Sequence, residues 1–523
     1  MSEAGVTSKD ELQAKLQAAM GVEAVADDSA TLDLMAHDVF ASGSLPCLVV
    51  RPASVAQLCD AVRICAAMQV PMVPRGGGAS YTDGYLYAGE RHVLVDTGSL
   101  NSIEIDAPNA VVTVGAGVTW AELKTALAAQ GLRTPFWGPF SGLAATVGGS
   151  VSQNSLSHGS AAYGISAESV LSMDVVLASG ELFTTCPSAA TRHYGPDLTG
   201  LFTGDCGALG IKAAIRLPLL KSRDNFAALS FAFETFADYH AGVSKVQLER
   251  IDDEHFGLDI ALSQGQIGRQ QGMAARMRVA MAVLRHVPNK LDGIKQLISM
   301  ALAGEKALSD SAYTCHFVVE GVDSADTSAK AARLRYLLAD HGQEIANSVP
   351  AVVRAMPFAP LYNILGPNGE RWVPIHGVLR HTDAVAFDTA LKAFYAQRKA
   401  QMTQLGIWSG AMFSPVGSAG FLYEIALYWP GERTSYHAAM LGEEHLASLP
   451  PGVANPATRE YVEQLKHDLI ELYGQFNAAH FQIGRAYPYR EKLSPQADAL
   501  LVQLKATLDP DNLMNPGALG LGV

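Results

Sequence analysis

Three consecutive glycines, Gly76, Gly77 and Gly78, follow the apolar, proline-bounded run Val70-Pro71-Met72-Val73-Pro74, which reads as a short buried strand. Glycine admits positive φ and leaves its N–H unobstructed. Successive N–H groups aimed inward would form a nest for a phosphate or pyrophosphate; a plain tight turn is the bland alternative. No GxGxxG follows a strand, no P-loop motif occurs, and Gly204, Gly207 and Gly210 are wrongly spaced for the former. Further on, Trp372-Val373-Pro374-Ile375-His376-Gly377 reads as a strand aiming His376 at one face. Such a histidine is usually structural, and it is also a candidate acid/base or hydrogen-bond donor. Phe421 to Trp429 reads as a second strand, whose period of two sets Tyr423 and Glu424 on opposite faces. At most one of them faces a site, and Glu424 is a candidate base. Cys47, Cys59, Cys65, Cys186, Cys206 and Cys315 form no CxxC pair or Cys/His cluster, so no metal is expected.

These residues need elements to hold them. Ser54 and Gln57 have the spacing of a capping box ahead of Leu58, Ala61, Val62 and Cys65 at helical period, and Thr119 with Glu122 repeats the device. Strand-like runs occur at Val93 to Asp96, Ser102 to Ile105, Val111 to Val114, Val170 to Ala178 and Ala213 to Leu217. After about Lys221 the texture changes and helical periodicity dominates Gly265 to Leu302, with Met273, Met277 and Met281 read as packing. Strands return at Thr314 to Val319 and in the two runs above. Ser494 and Pro495 open a last helix to about Leu508, stopped at Asp509-Pro510. The 523 residues carry a net charge of −13, which argues against a general nucleic-acid binder and against adsorption to anionic membranes. No apolar run is long enough to span a membrane and the first residues lack a secretory apolar region. A cytoplasmic protein is expected.

The glycine loops gain meaning as an ordered series: Pro74 to Ser80, Asp96, Val114 to Gly117, Thr146 to Ser150, Asp197 to Phe202 and Gly207 to Ile211. This series resembles the FAD-binding domain of the vanillyl-alcohol oxidase / para-cresol hydroxylase superfamily over roughly residues 45–220. Asp509 to Gly517 resembles the family's C-terminal closure. The resemblance implies an α+β fold: a two-part FAD-binding domain, residues 1–222 and 466–523, with an antiparallel-sheet cap domain with helices, 223–465. It implies FAD as cofactor, with Pro74, Arg75, Gly76, Gly77, Gly78, Ala79 and Ser80 at the phosphates. Pro139, Gly142, Thr146, Gly148, Gly149, Ser152, Asn154, His158, Gly159, Gly164, Gly207, Ile211 and Asn515 would complete the cofactor site. A homodimer is expected on the same ground.

The family's branches oxidise para-substituted phenols, D-2-hydroxy acids, or sugars and polyols. The metal strings of the hydroxy-acid branch are absent. Tyr489-Arg490, after Gly484, resembles the Tyr-Arg pair that holds phenolate in the phenol branch, although the same arginine could grip a carboxylate. The implied activity is hydride transfer from a small aromatic substrate, a para-substituted phenol, to the flavin. Tyr489, Arg490, His376 and Glu424 are the candidate catalytic residues. A D-2-hydroxy acid or simple alcohol is the alternative substrate, and a non-catalytic flavin-binding homologue is the alternative of another class. The branch's acid after a Tyr-Gly is missing: Ile165 follows Tyr163-Gly164, with Glu168 nearby. Some relatives attach FAD covalently through a cap-strand tyrosine or histidine, for which Tyr423 is the candidate; the N-terminal histidine anchor has no match, since Ala79 stands there. The electron acceptor, whether oxygen, a cytochrome or a quinone, carries no necessary sequence mark.

Overall fold

Capped helices and short strands alternate through the first part of the chain. In the computed structural model, which describes residues 8–187, 190–267, 311–358 and 360–522, Ser54 accepts the Gln57 N–H and opens the helix Val55–Ala67. The Gln57 carboxamide reaches back one residue further than a capping box requires, to the Ala53 N–H. Thr119 and Glu122 bond reciprocally at the head of Trp120–Ala128. The apolar faces of these helices cover two sheets. One has four strands in the order Val25–Ala26, Leu48–Val50, Val93–Asp96, Met72–Arg75, with its last three strands parallel. The other is antiparallel, in the order Ile103–Asp106, Val111–Gly115, Ile211–Pro218, Ser172–Val176, Leu182–Thr184.

A seven-stranded antiparallel sheet follows, in the order Gln343–Ile345, Phe226–Phe233, Tyr313–Glu320, Glu254–Asp259, Trp408–Val416, Gly420–Trp429, Arg371–Arg380. Side chains alternate across it. One set, including Phe231, Phe317, Phe413, Tyr423 and Ile375, joins a core completed by the helices Phe236–Glu249, Ser324–Leu338, His381–Gln404 and Pro456–Gln475. The other set faces the N-terminal sheets and bounds the cavity described below. The helical stretch expected at Gly265 to Leu302, with Met273, Met277 and Met281, lies almost wholly outside the described residues.

The chain end returns to its start. Met514 pairs in parallel with Met72, and the Asn515 N–H donates to the Met72 carbonyl. The Asn515 amide donates to the carbonyls of Gly84 and Cys206, while Arg485 holds Asn515 and Pro516. Ser494 caps Pro495–Leu508 as expected. Among the described residues no helix is long and apolar enough to cross a membrane.

Candidate active site

The strand Met72–Arg75 delivers the triple glycine to one wall of a cavity of about 1220 Å³ that runs from the N-terminal sheets to the inner face of the seven-stranded sheet. At Gly77 the backbone lies so close to Ala144 that a Cβ would overlap its carbonyl oxygen, and at Gly148 a Cβ would collide with Ala116. Gly78 has φ of +72°, a region side chains rarely adopt. No protein acceptor takes the N–H groups of Gly77, Gly78 or Ala79 among the described residues. Thr146 caps Val147–Gln153 by accepting from Gly149, which brings Gly148, Gly149 and Ser152 to the same wall. Ser157 also lines it, and its buried hydroxyl has no partner among the described residues. Bare amides, close-approach glycines and unpaired hydroxyls fit a long, polar, anionic cofactor of the FAD type.

Of the expected cofactor residues, Pro74 to Ser80, Pro139, Thr146, Gly148, Gly149, Ser152, Gly207 and Ile211 line the cavity. Six others do not line it and are held by contacts of their own. Asn515 is fully buried in the C-terminal closure. Asn154 adopts a left-handed conformation that ends its helix, which turns its amide toward Gly204. Gly142 packs under Phe358, Gly159 beside Pro135 and Gly164 against Glu168. His158 stacks on Trp137 at 4.5 Å and is held on both nitrogens, by Glu254 at 2.8 Å and the Pro357 carbonyl at 3.0 Å. It ties the two sheet systems together rather than facing the cavity.

Glu424 does face the cavity. Among the described residues nothing hydrogen-bonds its carboxyl, and burial alone pushes its pKa up to about 7. His376 sits directly opposite it across the strand pair. The histidine is fully buried, with its ring stacked on Phe481 at 4.0 Å. Burial depresses its pKa well below the usual value, and neither ring nitrogen has a partner among the described residues. Phe481 thus separates His376 from the cavity, so its expected direct role is corrected to packing behind Glu424.

Tyr423 points the other way, as strand alternation requires. Its ring packs against Phe387 and Phe413, and its hydroxyl donates to Asp388 at 3.0 Å. It is therefore out of reach of a cofactor, and the expected covalent link is withdrawn. Tyr489 and Arg490 are also displaced from the site. The Arg490 guanidinium makes a two-point pair with Asp498 at 2.6 and 2.9 Å, donates to the Gly520 carbonyl, and has a side chain 37% exposed. Tyr489 packs at the edge of the helix-covered core. The helix Pro495–Leu508 supplies Asp498, which draws the arginine outward.

Several lining residues carried no sequence signal. Tyr81, next after the glycine loop, meets Trp372 and His376 edge-on at 5.8 and 5.9 Å. Burial and the charge of Glu424 hold its phenol far above its ordinary pKa, against a hydrogen bond with Gln482. Ile165, where an acid is missing, packs with Leu156, Leu422 and Phe481. Glu168 does not reach the cavity, whose one lining carboxylate among the described residues is Glu424. The lining cations, Arg75 and Lys212, stand at the glycine-loop end; Lys212 pairs with Asp205. Toward the seven-stranded sheet the wall is Phe256, Leu258, Met412, Tyr428, Trp372 and Phe481.

Residues 46–185 match the FAD binding domain family. Over 168 residues the chain is 33% identical to glycolate oxidase subunit GlcD of Bacillus subtilis, covering 32% of this chain and 36% of that protein. It is 28% identical over 192 residues to D-lactate dehydrogenase of Archaeoglobus fulgidus, covering 36% and 42%. The chain thus spans well under half the length of the curated relatives it matches. Against solved structures it aligns with p-cresol methylhydroxylase with substrate bound at a TM-score of 0.74 and 17% identity, over 98% of this chain and 96% of that one. That likeness establishes the fold.

Proposed function

We propose that this chain, whose residues 46–185 match the FAD binding domain family and whose fold is that of p-cresol methylhydroxylase, is an FAD-dependent oxidoreductase of the vanillyl-alcohol oxidase / para-cresol hydroxylase superfamily that oxidises a small uncharged aromatic, a para-substituted phenol. One observation carries the reading. Among the described residues Glu424 has no hydrogen-bond or ion-pair partner, and burial raises its pKa to about 7 in a cavity end lined by aromatic and apolar side chains. Among the described residues no lysine or arginine lines that end to meet a substrate carboxylate.

Bound FAD supplies the two-electron acceptor for the oxidation. Ionised Glu424 accepts the proton of the substrate hydroxyl. A base whose pKa lies near the working pH combines a useful ionised fraction with real proton affinity. Losing that proton makes the ring electron-rich and weakens the hold on hydride at the benzylic carbon. Tyr81, held neutral, remains a hydrogen-bond donor at the same end. Phe481, Trp372 and Tyr428 exclude water and press on the substrate ring.

A D-2-hydroxy acid is the second reading, favoured by the names of the sequence relatives, whose matches cover less than half of each. Anaerobic titration of the purified holoprotein separates the two. Bleaching of the flavin absorbance by a para-alkylphenol and not by D-lactate is the expected result. Bleaching by D-lactate alone would overturn the phenol reading.

A further inference from the structure

The cavity has a second polar end. His316, on Tyr313–Glu320, lines it with its Nδ1 at 2.9 Å from the Ser230 hydroxyl. Its Nε2 has no partner among the described residues, although the side chain is only 1% exposed. Ser263, on the helix Ile260–Ile267, also lines the cavity, and its buried hydroxyl has no partner among the described residues. Buried polar atoms are normally satisfied, so an unpartnered nitrogen on a residue that lines a cavity marks a place where a ligand can complete it.

Hydrogen-bond accounting fixes what that ligand offers. Ser230 is fully buried, and its hydroxyl has no acceptor other than His316 Nδ1 among the described residues. If the serine donates to Nδ1, both groups are satisfied and Nε2 carries the proton. The opposite tautomer leaves the serine proton orphaned, at the cost of an unsatisfied buried donor. Nε2–H is then the donor. Burial depresses the His316 pKa to about 3, so the ring stays neutral.

The strands Glu254–Asp259 and Trp408–Val416 separate His316 from Glu424 in the sheet. Three inter-strand steps span roughly 14 Å, longer than a single phenol ring with a short alkyl group. Phe256, Leu258 and Met412 line the interval. We propose that Ser230 and His316 form a distal subsite for an uncharged acceptor oxygen, such as an ether, at the far end of an elongated two-ring phenol. This rests on the reading of Glu424 as the base at the near end.

The test compares two probes on the holoprotein: a phenol whose para chain ends in an aryl ether, and its counterpart with a methylene in place of that oxygen. The ether should show a kcat/KM roughly fivefold to tenfold higher, the worth of about one hydrogen bond. In His316→Phe the ratio should fall to about one. Equal kcat/KM for the two probes in the unmodified protein overturns the subsite without needing any variant to fold. If neither phenol is oxidised, the phenol reading fails and the subsite is decided by binding. Perturbation of the flavin spectrum then gives two dissociation constants: tighter binding of the ether supports the subsite, and equal binding overturns it.

Discussion

The two ends of one cavity are built on different rules. At the glycine-loop end the backbone does the binding: Gly77 and Gly148 are there because nothing larger fits against Ala144 and Ala116. At the cap end side chains do it, borne on strands whose alternation sends Glu424 inward and Tyr423 into the core. The first rule leaves a sharp trace in sequence, since only one residue type satisfies it. The second leaves a faint one, since any large apolar residue can line a wall. Specificity and chemistry therefore sit where sequence patterns are weakest.

Substitutions at the two ends should fail differently. Gly77→Val should all but abolish FAD loading, read as the flavin-to-protein absorbance ratio of the purified protein, because the branched side chain would occupy the space of the Ala144 carbonyl. Glu424→Gln should keep its flavin and lose turnover by about a hundredfold or more, the usual worth of a general base; wild-type turnover would remove Glu424 from the chemistry. Tyr81→Phe should cost roughly tenfold in kcat/KM, about one hydrogen bond at the reacting end. Tyr423→Phe should leave flavin content and turnover unchanged and lower the melting temperature slightly, since it removes a buried hydrogen bond to Asp388. Arg490→Ala should change turnover by less than about twofold, as expected of a half-exposed ion pair.

That last expectation reverses what the sequence suggests, and the reason is local. Tyr489-Arg490 has the right neighbours in sequence, but Asp498, four residues into the final helix, captures the guanidinium on the outer side. A partner eight residues on, outside the motif, decided the matter. His158 was misread in the same way: its place among glycines suggested the cofactor, whereas Glu254 and Pro357, distant in sequence, hold both its nitrogens. By contrast, the capped helices, the glycine turn after a buried strand and the opposite facing of Tyr423 and Glu424 were legible. Each depends on spacing within a few residues: Thr119 to Glu122, three consecutive glycines, or strand parity. Tyr81 and His316 could not be found from spacing, since the contacts that orient them, with Trp372 and His376 and with Ser230, join segments far apart in the chain.

The account turns on Glu424 acting as a base in an apolar site, and the pH dependence of anaerobic flavin bleaching by a para-alkylphenol tests this most directly. The carboxyl pKa is raised, so the active, ionised form is lost as pH falls through about 7. The rate constant should rise about tenfold per unit below pH 7 and level off above it in the wild-type protein, and lose that rise in Glu424→Gln. A flat wild-type profile, or the same rise persisting in Glu424→Gln, would contradict the account.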